Sequence, residues 1–215
     1  IAVFLLRPSF RNLKDVFHLI FIENRRYGIN VYIGSIIGVA STHLGPIAIS
    51  FFSNDNIDVG FYSLALTVTM PLVLIPTVVG TSLFKEFANR PKIPTKATKI
   101  TILISIISLA GFLLLVRPVI VILYSKEFSE AANLAYIVAA GQIMHGFGNY
   151  YNRFLGSKGQ GKSLRNGAVW VGLTNIIGFI SIVPFYGAYG AAFTKLFSGI
   201  VYIASMLFYY RRFVK

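Results

Sequence analysis

Cysteine is absent from the 215 residues. Disulfides, thiol catalysis and thiolate metal sites are thereby excluded. Acid is scarce: seven Asp and Glu stand against twenty Lys and Arg, for a formal net charge of +13. Charged residues of both signs make up only 13% of the chain, where a soluble domain carries about 25%. What is abundant is apolar. Hydrophobic residues reach 55% and mean hydropathy is +0.70. Six stretches, approximately 29–52, 59–84, 100–123, 131–155, 167–184 and 188–210, are almost free of charge. Each meets or nears the roughly 20 apolar residues that span a bilayer. The expected fold is all-α: a polytopic membrane bundle of six transmembrane helices.

The loops carry the orientation. Basic residues crowd the segments 7–26, 85–99, 153–165 and the tail 211–215, while the intervening turns near 53–58, 125–130 and 185–187 are poor in them. Seventeen of the twenty Lys and Arg fall in the first set, and the two sets alternate along the chain. By the positive-inside rule the basic set is cytoplasmic. Both ends are then cytoplasmic, and the expected location is the inner membrane of a bacterial or archaeal cell. Charge distributed this way serves topology and not nucleic acid, whose site would gather it on one face of a soluble module.

The chain opens on Ile1-Ala2-Val3-Phe4-Leu5-Leu6 without an initiator Met, which reads as the last turns of a transmembrane helix cut from a longer protein. Phe10, Leu13, Phe17, Ile20 and Phe21 then recur at helical spacing with Arg11, Lys14, Asp15, His18 and Glu23 on other faces. This pattern predicts an amphipathic helix lying in the cytoplasmic interface. Residues 1–28 are thus expected to hold the helix end and this amphipathic helix, and residues 29–215 the six-helix bundle.

Two motifs tempt. Gly156-Ser157-Lys158-Gly159-Gln160-Gly161-Lys162-Ser163 spells the phosphate-binding P-loop. That mechanism needs a buried strand before the loop and a helix N-terminus beneath the phosphates. Here an apolar helical stretch precedes it, so a short basic loop is expected. Asn54-Asp55-Asn56-Ile57-Asp58 resembles half of the Asp-rich motif of membrane prenyltransferases. Magnesium held against a diphosphate needs a second acidic cluster, and none follows. With its three His scattered and no Asp or Glu in any apolar stretch, the chain is not expected to be an enzyme or to hold a cofactor or metal.

Polar groups inside the apolar stretches point to the site. Gln142, His145, Asn149, Asn152 and Arg153 follow spacings of three and four and share one helix face. Helix–helix hydrogen bonds, worth about 0.6 kcal/mol each in membranes, are the plain explanation. Five in one stripe favour a cavity lining. Lys195 lies some seven residues below the outer end of the last stretch, on a face of small residues that includes Ala188, Ala191, Ser198 and Gly199, along with Tyr202. Inward placement is expected over snorkelling, since a charge at that depth costs about 2.5–3.5 kcal/mol on insertion scales. Tyr32, Ser35, Thr42, His43 and Ser50 offer a third wall, and Pro71 and Pro76 two kinks in the second stretch. The candidate substrate-binding residues are Lys195, His145, Gln142, Asn149, Arg153 and His43. The ionisable ones among them can be cationic and none can be anionic, which suits an anionic ligand such as a phosphate.

Three stretches resemble the lipid-linked oligosaccharide flippases, the O-antigen and exopolysaccharide translocases of the multidrug/oligosaccharidyl-lipid/polysaccharide exporter superfamily. They are Val59 to Ala88, Gly141 to Gly167 and Tyr186 to Leu196, together about a third of the chain. The resemblance implies two pseudo-symmetric helical lobes around a central cavity, with this chain as the C-terminal lobe, an N-terminal bundle of the same protein as its partner, and residues 7–28 as the cytoplasmic crossover between them. It implies a polyprenyl-diphosphate-linked oligosaccharide as substrate, carried across the inner membrane for polysaccharide biosynthesis by alternating access. Membrane lipids are the other implied partner. The competing class is a cation-coupled drug or small-solute antiporter of the same superfamily, whose intramembrane acidic residues this chain lacks.

Overall fold

A computed structural model describes residues 12–53 and 56–215. The described residues form helices and short connections, without a strand. Helix α1 (Leu13–Glu23) passes through a π turn (Asn24–Gly28) into α2 (Ile29–Phe52). Then follow α3 (Ile57–Ser82), the short α4 (Phe84–Asn89), α5 (Thr95–Tyr124), α6 (Ser129–Ser157), α7 (Gly161–Ser181) and α8 (Val183–Val214). A break at Gly187, where φ is 49° and ψ −130°, separates a first turn of α8 from its long shaft. The tight chain reversal expected near 185–187 is made there, by a residue whose missing Cβ admits that backbone. Pro71 and Pro76 leave α3 continuous.

Four helices are long and apolar enough to cross a membrane: Leu13–Phe52 taken as one helix of 40 residues, α3, α5 and α8. The remaining two long helices, α6 and α7, are less apolar. The reason is their position. α6 is the central helix, with fourteen buried residues and packing against α3, α5 and α8. Its inward faces carry Gly, Ala, Asn and Gln, which lower its hydropathy. At 29 and 21 residues, α6 and α7 extend roughly 43 and 32 Å. The outer faces of the long helices are largely apolar. On α5 alone Leu103, Ile106, Ile107, Leu114, Leu115, Ile122 and Leu123 are exposed, far more apolar surface than a soluble monomer leaves open.

Small residues set the helix spacing. A Cβ on Gly199 of α8 would meet the carbonyl oxygen of Gly141 on α6, and one on Gly141 would stand 2.8 Å from the carbonyl of Lys195. Gly178 of α7 likewise admits Thr194 of α8, and Gly146 of α6 admits Pro76 of α3. Close backbone approach through such positions is how membrane helices associate where burial of apolar surface gives no net drive.

The two ends of the bundle differ in charge. Tyr27 of the π turn packs with Leu155 and Leu164 at the α6–α7 turn. Lys158 donates from Nζ to the carbonyl of Ala88 at 2.9 Å, and the Ile93 amide donates to the hydroxyl of Tyr210 at 3.3 Å. These contacts gather the basic segments 25–26, 85–99, 153–165 and 211–215 at one end. At the other, Tyr189 donates to Glu130, and Phe61 meets Phe128 edge to face at 5.7 Å. That end is also tightly packed: Ile49, Tyr62, Ala65, Ala131, Ala132, Leu134, Ala135, Val138, Ala191 and Ala192 form one buried cluster.

α1 is helical over Leu13–Glu23, where the sequence predicts an amphipathic helix. Every one of its residues is exposed, and it runs into α2 without an interruption of helical backbone. Residues 1–11 lie outside the described residues, as do Asn54 and Asp55 of the Asp-rich turn.

Candidate functional site

A cavity of about 400 Å³ lies between α2, α6, α7 and α8. Its lining uses residues 31–42 of α2, 145–153 of α6, 164–175 of α7 and 195–202 of α8. On α6 these lie in the half of the helix near the basic end, on α2 and α7 they run from that half to just past mid-helix, and on α8 they straddle its middle. The cavity is a mid-bundle chamber, and the buried cluster around Leu134 and Ala191 closes the bundle at the end away from the basic segments.

Four of the six candidate residues meet at this cavity: Lys195, His145, Asn149 and Arg153. Lys195 is half-buried on α8 and its ammonium has no hydrogen-bond or ion-pair partner among the described residues. Arg153 is exposed at the basic-end margin. The His145 ring lies against that of Tyr202, with centroids 4.5 Å apart and planes at 32°, and its Nδ1 is buried without a partner. No carboxylate lines the cavity. A chamber with two cations and no anion in its lining favours a negatively charged occupant, most of all at the half-buried Lys195.

The other two candidates sit elsewhere. Gln142 is buried on α6, one turn from His145 toward the closed end and off the lining. His43 is exposed on α2; its neighbour Thr42 lines the cavity, as does Ser35. One residue along a helix turns a side chain by 100°, which suffices to move His43 off the wall.

The polar stripe of α6 divides into two roles. Asn152 donates from Nδ2 to the Tyr202 hydroxyl at 3.1 Å, and that hydroxyl donates to Oδ1 of Asn149 at 3.2 Å. Asn149 in turn donates to Oγ1 of Thr77 at 3.1 Å, whose hydroxyl donates to the Val73 carbonyl at 2.7 Å. One directed chain of hydrogen bonds thus joins α8, α6 and α3. Asn149 and Asn152 are held by helix packing, while His145 and Arg153 remain free to face a ligand.

Sequence reading missed Asn175. It lines the cavity from α7, is 3% exposed, and its Oδ1 has no partner. A lone Asn in a stretch of apolar residues was the available signal. Tyr202 shares the sequence face of Lys195, and its hydroxyl is the hub of the chain of bonds.

The P-loop spelling falls on the α6–α7 turn. α6 continues through Ser157, Gly159 takes φ 67°, and α7 starts at Gly161. A helix stands where nucleotide binding needs a strand. Among the described residues no three His, Asp or Glu come together as metal ligands. No family model, no curated protein and no solved structure matches this chain.

Proposed function

We propose that this bundle is one lobe of a flippase that moves a polyprenyl-diphosphate-linked oligosaccharide across the inner membrane. The observation that carries the reading is the cavity of Lys195, Arg153 and His145, cationic and without a carboxylate in its lining. A diphosphate suits such a chamber through charge-assisted hydrogen bonds. In the two-lobed arrangement that the resemblance implies, this lobe forms one wall, and the lipid tail stays in the bilayer while the sugar crosses.

Six membrane spans belong to this reading: α2, α3, α5, α6, α7 and α8. α6 and α7 have the length, and their polarity faces neighbours and cavity instead of lipid. The gathering of basic segments at one end supports a cytoplasmic placement of that end. The cavity, closed off by the packed cluster at the other end, would then open toward the cytoplasm, the side on which lipid-linked sugars are assembled. The absence of Asp and Glu from the apolar stretches favours this reading over a cation-coupled drug antiporter.

Binding tests it. The purified intact protein should retain a polyprenyl diphosphate in native mass spectrometry and release the uncharged polyprenol of the same chain length. Equal retention of both would show that the cavity does not select charge, and the reading would fail.

A further inference from the structure

A second cationic recess lies outside the central cavity. It has a volume of about 500 Å³ and sits where α1, the π turn and the start of α7 meet. His18, Arg25, Arg26 and Lys162 supply its polar wall, and Phe21 and Ile22 its apolar one. Among the described residues Arg25, Arg26 and Lys162 have no ion-pair partner; the ion pair formed there is Arg90 with Glu86, elsewhere at the same end. No carboxylate belongs to the recess.

Two features distinguish it from an ordinary basic loop. The first is convergence: Lys162 comes from α7, far along the chain from Arg25 and Arg26, and the π turn brings them to one concavity. The second is the wall beside the charges. Phe21 is 64% exposed and Ile22 45%, and Phe17 and Ile20 continue the apolar surface along α1. A free anion needs only the cations. An amphiphile with an anionic head and an apolar tail uses both walls.

We propose that this recess binds the head group of an acidic phospholipid of the leaflet at the basic end. The phosphate sits among Arg25, Arg26 and Lys162, and the apolar part of the lipid meets Phe21 and Ile22. This rests on the membrane reading of the bundle and is independent of what the central cavity carries. Loss of lipid binding leaves the flippase reading standing, and a failed flippase reading leaves this one.

The test uses the intact protein, purified and placed in nanodiscs of phosphatidylcholine with a minor fraction of phosphatidylglycerol. Native mass spectrometry counts the lipids that stay bound. The wild type is expected to retain phosphatidylglycerol over phosphatidylcholine. The triple variant Arg25→Gln/Arg26→Gln/Lys162→Gln is expected to lose at least about fivefold of that preference, the size of one basic group near an acidic surface. Lys96→Gln/Lys99→Gln, at the same end but outside the recess, should keep it. Because the triple variant could misfold, a photoreactive phenylalanine analogue at Phe21 in otherwise wild-type protein gives a second reading, and should crosslink phosphatidylglycerol. Equal loss in the two variants, full retention in the triple variant, or no crosslink would overturn the site. Displacement of the lipid by inorganic phosphate would reassign the recess to a free anion and overturn the lipid assignment.

Discussion

The hydroxyl of Tyr202 on α8 donates to Oδ1 of Asn149 on α6 at 3.2 Å while accepting from Asn152 at 3.1 Å. One phenol thus satisfies two amides of the neighbouring helix. Tyr202→Phe keeps the ring on His145 and removes both bonds. At about 0.6 kcal/mol per bond in a membrane, the expected loss is about 1 kcal/mol. Thermal unfolding in detergent should show a midpoint lowered by about 2–4 °C. An unchanged midpoint would mean that the bonds are replaced by water in solution.

Gly199 offers a sharper packing test. Its Cβ would collide with the Gly141 carbonyl, a backbone atom that moves only with α6 itself. Gly199→Ala should therefore destabilise the bundle by about 1–3 kcal/mol, the usual cost of overpacking. Gly111→Ala on α5, where nothing lies within 4 Å, should be neutral or stabilising. The comparison is made by unfolding midpoints of the two variants side by side.

Helix content was legible because apolar length and the absence of charge are local properties. The stretch 29–52 is α2 to the residue, and the others differ from their helices by up to six positions at an end, most at the starts of α5, α7 and α8. The short α4 was hidden inside a basic loop, since six residues are too few for a period to show. The site was legible only in part. Lys195, His145, Asn149 and Arg153 announced themselves as polar residues in apolar helices. Their sorting did not, because it depends on partners far away in sequence. Asn149 is tied to Tyr202, 53 positions on, and Asn175 reaches the same wall from a helix with no polar stripe. The exposure of His43 depends on the rotation of α2 about its axis, which packing against α7 at Gly34 and Gly172 sets.

The α6–α7 turn should not bind nucleotide. Isothermal titration of the protein with magnesium ATP is expected to give no binding heat. Gly159→Ala should cost about 1–2 kcal/mol in stability, because its φ of 67° is unfavourable for an L-residue with a side chain. Nothing lies within 4 Å of its Cβ position, so the cost is backbone strain alone. Saturable ATP binding would show that the loop does more than connect two helices.

Sidedness is accessible because the chain has no Cys of its own. A single Cys replacing Asn56 should react with an impermeant thiol reagent in intact cells. One replacing Thr95, at the basic end, should react only after the membrane is opened. The reverse pattern would invert the bundle and place the cavity toward the outside.

Lys195 carries the central claim. Its ammonium faces the cavity without a partner among the described residues, and on the proposed reading a diphosphate is the partner it meets. The direct measurement is export of lipid-linked oligosaccharide by cells whose own flippase is deleted and which carry the intact protein. Membrane insertion is checked for each variant. Lys195→Ala is expected to abolish or strongly reduce export with the protein normally inserted. Lys195→Arg should keep part of it, since the charge remains while the geometry changes, and Lys195→Glu should fall below Ala by repelling the diphosphate. Normal export by a properly inserted Lys195→Ala protein would contradict the account.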